Sequence, residues 1–121
     1  MRFASAILAA LAVALATAAT AAPCNGPRPP VGARVTGDVP LVTSGESFCL
    51  RLATGTIAVR LADFAACRTE ATRLNLVKII EGKRLACTVT RREPARVRAR
   101  CTVEGVSVAA VLRRAGTCER R

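Results

Sequence analysis

The first apolar run of the chain covers residues 3–16 and consists almost wholly of Ala, Leu, Val and Ile. It follows the basic residue Arg2 and leads into the small-residue stretch ATAATAA. A basic start, a short apolar core and an Ala-x-Ala site are typical of a secretory signal peptide, whereas a transmembrane span needs about 20 apolar residues. The pattern predicts a signal peptide over 1–22, cleaved after Ala21 or Ala22, and no membrane span after cleavage.

Apolar and polar positions then alternate in two neighbouring segments. Residues 46–53 (ESFCLRLA) and residues 56–62 (TIAVRLA) each put their large aliphatic or aromatic side chains on one face. The short TGT between them predicts a β-hairpin. An earlier strand is expected within 31–42, where Pro40 restricts it to a sheet edge or a β-bulge.

The spacing of apolar residues changes from two to three or four between Thr69 and Glu81, which predicts an α-helix. Thr69 is placed to cap the start of this helix, and Gly82 to end it. One stripe of apolar residues is expected to face the core: Ala71, Leu74, Val77 and Ile80.

A second hairpin follows the helix. Its strands, RLACTV and RVRARCTV, place Cys87 and Cys101 on their inner faces at equal distances from Pro94 in the turn. Partners in an antiparallel ladder have residue numbers of constant sum, so the two cysteines face each other and are predicted to form a disulfide. The outer face of the second strand carries a row of arginines: Arg96, Arg98 and Arg100.

A shorter helix is expected from about Ser107 to Ala115, with Val108, Val111 and Leu112 facing inward and Gly116 after it. The order is therefore strands, helix, strands, helix. This order predicts a compact α+β domain around a small, curled antiparallel sheet.

The cysteines indicate how so small a domain is stabilised. About one hundred residues remain after the signal peptide, enough for a single small domain that benefits from covalent cross-links. All six cysteines lie in this part, and an even count in an exported domain predicts disulfides. The absence of histidine and of a CxxC pair argues against a zinc site or a cysteine nucleophile. The sequence leaves three pairings open for the other four cysteines: Cys24, Cys49, Cys67 and Cys118.

Charge adds a candidate partner. The chain has 19 Lys plus Arg against 8 Asp plus Glu, and its net charge after loss of the signal peptide is about +10. Arginine predominates, and its planar fork binds phosphate through two hydrogen bonds, so a polyanion such as nucleic acid is a plausible partner. A GC-rich genome would also produce this composition. Phe48 and Phe64 are the aromatic residues after the signal peptide, too few to support base stacking on a single strand.

The segments from residue 39 onward resemble, in order and spacing, the thermonucleases of the staphylococcal nuclease type. VTSGESFCL is similar to that family's V-x-D-G-D-T run, and VRLADFAAC to its I-R-L-x-x-I-D-x-P-E segment. LVKIIEGKRLACTV resembles the family's helix followed by a strand, and PARVRARCTVEGVSVAAVLRRAG its Y-G-R-x-x-A stretch. The resemblance implies a small antiparallel OB-like β-barrel (SNase-like) with two short helices over 39–121, after an irregular segment at 23–38.

The resemblance also implies a site. The family cleaves phosphodiester bonds in DNA and RNA with calcium, two phosphate-stabilising arginines, a glutamate that activates water and aspartates that hold the metal. Arg60 and Arg96 match the two arginines, and Glu46 stands where a metal-binding aspartate is expected. Arg98 and Arg100 would extend a phosphate-binding row along their strand.

The carboxylates of the family are largely missing. Counted from Arg60, Ala65 takes the place of the second metal aspartate and Arg68 that of the glutamate. In a second alignment CRTEA matches the cysteine and glutamate that follow this motif in some secreted relatives, with the catalytic loop deleted. Both alignments lack the family's carboxylate and leave Asp63 and Glu70 as the nearest substitutes. An arginine in place of a carboxylate would repel calcium, and a calcium site normally gathers six or more oxygen ligands.

These observations predict an exported, periplasmic or secreted domain with a degenerate active site, binding nucleic acid or another polyanion without efficient cleavage. No cofactor is expected, and calcium is the candidate metal if the domain is active. Two alternatives stay open. One is an active divergent calcium-dependent nuclease using Glu46 and Asp63, and the other is a structural or partner-binding domain, which a wide separation of Arg60 and Arg96 would favour.

Overall fold

A computed structural model describes residues 24–121, so the predicted signal peptide lies outside the described residues. Within this range no helix has the length and apolar character needed to cross a membrane. The described residues form these elements in chain order: β1 (Arg34–Val42), β2 (Ser47–Leu52), β3 (Gly55–Leu61), α1 (Glu70–Ile80), β4 (Arg84–Arg92), β5 (Val97–Val103), β6 (Val106–Ser107) and α2 (Val108–Arg114).

The strands close into a small barrel. Their order in the sheet is β3-β2-β1-β4-β5-β6, and an additional pairing between β3 and β5 joins the two ends of a five-stranded barrel, with β6 attached outside it. All neighbouring pairs are antiparallel except β3 and β5, which run parallel. The predicted α+β class and small barrel with two short helices are confirmed.

Strand β1 explains both the position of Pro40 and the start of the domain. β1 lies between β2 and β4, and its register with β2 shifts between Asp38 and Leu41, so Pro40 sits at a β-bulge. The bulge alternative is therefore the correct one. Because β1 begins at Arg34, the barrel starts before residue 39, and the segment 23–38 is not irregular throughout.

The core fills the barrel with the inward side chains that the alternation predicts. In β5 they are Val97, Ala99, Cys101 and Val103, all buried, and the register places Cys87 opposite Cys101. The predicted Cys87–Cys101 disulfide is present. The other cysteines, whose pairing the sequence left open, form the disulfides Cys24–Cys49 and Cys67–Cys118.

Helix α1 has the predicted bounds, and the predicted stripe is confirmed in part: Ile80 is buried and Val77 packs against the core, but the rest of the inward face differs. The Thr69 hydroxyl accepts a hydrogen bond from the Thr72 backbone N–H at 3.2 Å, which confirms the N-cap. The buried positions are Thr72, Leu76 and Ile80, whereas Leu74, predicted to face inward, is 43% exposed and Ala71 is also exposed. The inward face contains a polar residue, Thr72, so a prediction based on apolar residues alone places the buried stripe partly on the neighbouring face. The Thr72 hydroxyl is satisfied there by donating to the Cys67 carbonyl oxygen at 2.6 Å.

Helix α2 begins after Ser107, whose hydroxyl accepts from the Ala110 backbone N–H at 3.2 Å. Val108 and Leu112 are buried as predicted, but Val111 is only half-buried and Ala109 is buried in its place. The two helices pack against one end of the barrel and against each other.

Candidate functional site

A pocket of about 430 Å³ opens where the start of β2, the loop after β3, the first turn of α1 and the C-terminal residues meet. We call it the arginine pocket. Five arginines line it, together with two carboxylates, Glu46 and Glu70. The arginines are Arg60, Arg68, Arg73, Arg96 and Arg120.

Glu46 lies at the base of the arginine pocket and is buried, with 7% of its surface exposed. Its Oε2 atom accepts a hydrogen bond from Arg60 Nε at 2.7 Å, and its Oε1 atom accepts from an Nη nitrogen of Arg120 at 3.0 Å. Oε1 also accepts from the Ala66 backbone N–H at 3.1 Å. Both carboxylate oxygens are therefore occupied by donors from the protein itself.

The loop before β2 is shaped to bring Glu46 inward. A Cβ atom at Gly45 would lie only 2.6 Å from Thr72 Oγ1 and 2.7 Å from the Ala66 Cβ, so this position accepts only glycine without a shift of the backbone. The Ser44 hydroxyl accepts from the Glu46 backbone N–H at 3.2 Å. The loop thus packs directly against α1, and the next side chain points into the pocket.

The surroundings of Glu46 keep it ionised. Burial on its own would raise the pKa of the carboxyl, but the hydrogen bonds and positive charges of Arg60 and Arg120 outweigh burial and hold the pKa below its ordinary value of 4.5. The side chain is consequently an internal counter-anion for two arginines at neutral pH.

Arg60 reaches the arginine pocket from β3. It pairs with Ser47 of β2 and with Arg98 of β5, and its side chain is on the outer face of the barrel. A guanidinium carries five N–H donors, so the contact of Nε with Glu46 leaves most of them for a ligand.

Arg96 enters the same pocket from the turn between β4 and β5. Its Nε donates to Glu93 Oε1 at 2.8 Å, while Arg98 Nε donates to Glu93 Oε2 at 2.8 Å. These hydrogen bonds, led by that of Arg96, lower the pKa of the Glu93 carboxyl. Glu93 therefore orients two of the three arginines in the row that the sequence predicts.

The first turn of α1 forms another wall of the pocket. Thr69 and Glu70 line it together with Arg68, which is exposed, and the positive end of the helix dipole lies there. Arg73 donates to both oxygens of Glu70, at 2.8 and 2.6 Å, so this arginine is already paired within the helix.

The predicted site residues lie in two pockets, except Arg98, which lines neither and is held by Glu93. Arg60, Arg96 and Glu46 line the arginine pocket, whereas Asp63 and Arg100 line a second pocket of about 370 Å³ between β1, β4 and β5. Asp63, a predicted catalytic residue, is therefore not among the residues that surround Arg60 in the arginine pocket. The row Arg96, Arg98, Arg100 runs from one pocket toward the other along the outside of β5.

Calcium does not fit this arrangement. Both oxygens of Glu46 hold guanidinium groups, and a hard cation would have to displace a positive charge from each. Within residues 24–121 there is no group of three or more His, Cys, Asp or Glu side chains placed to hold a metal ion.

Two residues that orient the site, Arg120 and Glu93, are not predicted from the sequence. Arg120 is 74 positions from Glu46 and reaches it because Cys118, two residues earlier, is bonded to Cys67 at the pocket wall. The pairing of these cysteines was open, so the position of Arg120 could not be predicted. Glu93 carried a usable signal, since an acidic residue opposite the predicted arginine row is placed to pair with it.

No family model matches the sequence, and no curated protein matches it significantly. Among solved structures, the fold is similar to that of the human TDRD1 extended Tudor domain, which was crystallised in complex with a symmetrically dimethylated peptide. The TM-score is 0.67 at 11% sequence identity, and the match covers 78% of this chain and 93% of that one. At this identity the likeness establishes the fold alone: a small five-stranded β-barrel that resembles Tudor and OB-like domains.

Proposed function

We propose that this protein binds the phosphate backbone of nucleic acid in the arginine pocket without hydrolysing it. One observation carries the proposal. Arg60 and Arg96, which match the phosphate-binding arginines of thermonucleases, line one pocket with three further arginines and only two carboxylates. A wide separation of these two arginines would have favoured a domain without a nucleic-acid role. They line the same pocket, so this support for the alternative is absent.

The chemistry of the pocket suits a phosphate diester. Arginine forks donate two parallel hydrogen bonds to phosphate oxygens, and the positive N-terminus of α1 adds a further attraction. Glu46 holds Arg60 by its Nε atom, which fixes the plane of the guanidinium before a ligand arrives. A fixed guanidinium loses less conformational entropy on binding than a free one.

The same geometry argues against hydrolysis. Phosphodiester cleavage of the thermonuclease type needs a metal ion and a carboxylate that orients water. Glu46 is neutralised by Arg60 and Arg120, and Glu70 is paired with Arg73. Arg68 stands in the place of the family's catalytic glutamate. The active-nuclease alternative is therefore not the one we favour.

A methylated peptide, the ligand in the TDRD1 structure, is not the partner we propose here. Recognition of methylated cations relies on an aromatic cage, and Phe48 and Phe64, the aromatic residues of the described chain, are 1% and 3% exposed. A pocket lined by arginines would also repel a cationic peptide. The three disulfides suit an oxidising compartment, so we place the binding outside the cytoplasm.

The test is binding of a short labelled DNA duplex to the oxidised protein, measured by fluorescence anisotropy at several salt concentrations. Arg60→Gln and Arg96→Gln should each weaken binding about tenfold and reduce the salt dependence by about one phosphate contact. Arg114→Gln, which removes the same charge from an exposed position of α2 outside the pocket, is the control and should have little effect. Equal losses in all three variants would indicate non-specific attraction and would contradict the proposal.

The same samples, incubated with calcium or with a chelator and analysed on a denaturing gel, test the second half of the proposal. We expect intact DNA in both conditions. Calcium-dependent cleavage that Arg60→Gln abolishes would establish the nuclease alternative instead.

A further inference from the structure

The C-terminal residues lie across the loop that follows β3. The Arg120 backbone N–H donates to the Ala65 carbonyl oxygen at 2.7 Å, and Ala66 forms an isolated antiparallel bridge with Glu119. Cys118 is bonded to Cys67, whose backbone N–H also donates to the Cys118 carbonyl oxygen at 2.9 Å. We call residues 117–121 the C-terminal strap.

The C-terminal strap delivers one side chain to the arginine pocket. Arg120 Nε donates to the Ala66 carbonyl oxygen at 2.9 Å, and an Nη nitrogen donates to Glu46 Oε1 at 3.0 Å. The guanidinium is thus held at two points, one on the loop and one on the carboxylate at the base of the pocket. A freely moving C-terminal arginine would keep neither contact.

We propose that Arg120, positioned by the Cys67–Cys118 disulfide, neutralises Glu46 and thereby allows the arginine pocket to accept phosphate. The inference rests on the proposed function and names a residue that neither the motifs nor the row of arginines indicates.

The net charge of Glu46 and its two arginine partners determines whether this part of the pocket attracts phosphate. Without Arg120, the positive charge of Arg60 would be cancelled by the negative charge of Glu46 and would not attract a ligand. With Arg120 on the second oxygen, the carboxylate and its two arginines carry a net charge of +1. Loss of Arg120 would leave this cluster neutral, with a lone pair of Glu46 Oε1 directed toward the incoming phosphate. Repulsion at such distances is weakly screened because Glu46 is buried.

The disulfide fixes the strap because it joins residues 51 positions apart in sequence at the wall of the pocket. The strap has further anchors: Arg113 donates to both oxygens of Glu119, at 3.0 and 2.7 Å. This ion pair is exposed and contributes little, so the strap is held by the disulfide together with its backbone hydrogen bonds to residues 65 and 67.

The experiment compares Arg120→Gln with Arg121→Gln, which removes the same charge from the next, exposed position. Two probes are titrated by calorimetry: the DNA duplex and inorganic pyrophosphate. Pyrophosphate is small enough to bind within the arginine pocket alone. Arg120→Gln should weaken binding of both probes about three- to tenfold, and Arg121→Gln by less than about twofold. Arg120→Lys should recover part of the affinity because it returns the charge without the fork.

A double variant identifies the mechanism. If Arg120 acts by neutralising Glu46, adding Glu46→Gln to Arg120→Gln should raise affinity again, because glutamine removes the negative charge while its oxygen still accepts from Arg60, although its NH2 group then faces the Ala66 N–H. If the double variant is no tighter than Arg120→Gln, Arg120 does not act through Glu46 and the inference is overturned. Equal affinities of wild type and Arg120→Gln would overturn it as well.

The role of the disulfide is tested with Cys67→Ser/Cys118→Ser, checked for folding by its amide NMR spectrum. This variant should match Arg120→Gln in affinity, and combining the two should weaken binding no further. Additive losses would contradict positioning by the disulfide. If the serine variant does not fold, Cys67→Ala/Cys118→Ala is compared in the same way, with the same two outcomes. A wild-type protein that binds pyrophosphate but not DNA would refute the proposed function and leave this inference standing.

Discussion

At the scale of single residues, the site depends on a glutamate whose charge is used internally. The sequence resemblance to thermonucleases implies a calcium ligand at position 46. The folded chain instead surrounds Glu46 with Arg60 and Arg120 and with the Ala66 backbone N–H. Arg60 belongs to the same motif set and could be placed near Glu46 from the sequence. Arg120 could not, because its position depends on a disulfide between distant residues.

The ionisation of Glu46 predicts a pH dependence of stability. Its folded-state pKa lies below the ordinary value of 4.5, so the carboxylate stabilises the fold fully above that value. The contribution is lost as the pH falls through the lower folded-state pKa, where Glu46 takes up a proton. We expect Glu46→Gln to lower the free energy of unfolding by about 1–3 kcal/mol at pH 7, and this difference to shrink progressively below pH 4.5.

Urea denaturation of both proteins from pH 7 down to about pH 3 measures this difference. A gap between wild type and Glu46→Gln that stays constant across the range would show that the glutamate contributes through shape and not through charge.

Gly45 gives a second prediction at this scale. Its Cβ position lies 2.6 Å from Thr72 Oγ1 and 2.7 Å from the Ala66 Cβ, so Gly45→Ala must move the loop away from α1. We expect a loss of about 1–3 kcal/mol, seen as a melting temperature lower by several degrees. Binding should also weaken, because the shift displaces Glu46. An unchanged melting temperature would show that the loop adapts at no cost.

At the scale of elements, periodicity predicted the strands and both helices because each is amphipathic and carries a local signal at its ends. The TGT turn, the Thr69 cap and the equal spacing of Cys87 and Cys101 around Pro94 all act over short sequence distances. The inward face of α1 is predicted correctly at Val77 and Ile80 but not at Ala71 and Leu74, because the buried stripe includes Thr72, whose hydroxyl is satisfied by the loop. A local sequence pattern does not show that the Thr72 hydroxyl has a hydrogen-bond partner in the loop. The same limit applies to the Cys24–Cys49 and Cys67–Cys118 pairs, which are decided by the closure of the barrel.

The cap of α1 is testable as an element. Thr69→Ala removes the acceptor for the Thr72 backbone N–H and should lower stability by about 1 kcal/mol in thermal or urea unfolding. Thr54→Ala, at an exposed position in the turn between β2 and β3, is the matched control and should change stability by less than about 0.5 kcal/mol. Equal effects of the two substitutions would mean that the Thr69 hydroxyl does not stabilise the helix.

At the scale of the whole molecule, the excess of arginine is organised and not spread evenly. Five arginines line one pocket, and the row on β5 leads from there toward Arg100 in the second pocket. Composition alone gave equal support to a polyanion partner and to a GC-rich genome. The convergence of arginines from β3, the β4–β5 turn, α1 and the C-terminal strap on one pocket favours the first explanation, because base composition has no reason to bring distant residues together.

The most direct test of the account is the affinity of the oxidised protein for a short DNA duplex between about 50 and 200 mM salt, for wild type, Arg60→Gln and Arg114→Gln. We predict that wild-type affinity falls steeply with salt, that Arg60→Gln binds more weakly with a shallower slope, and that Arg114→Gln follows the wild type. Affinity that is flat with salt, or identical slopes for Arg60→Gln and wild type, would contradict phosphate binding in the arginine pocket.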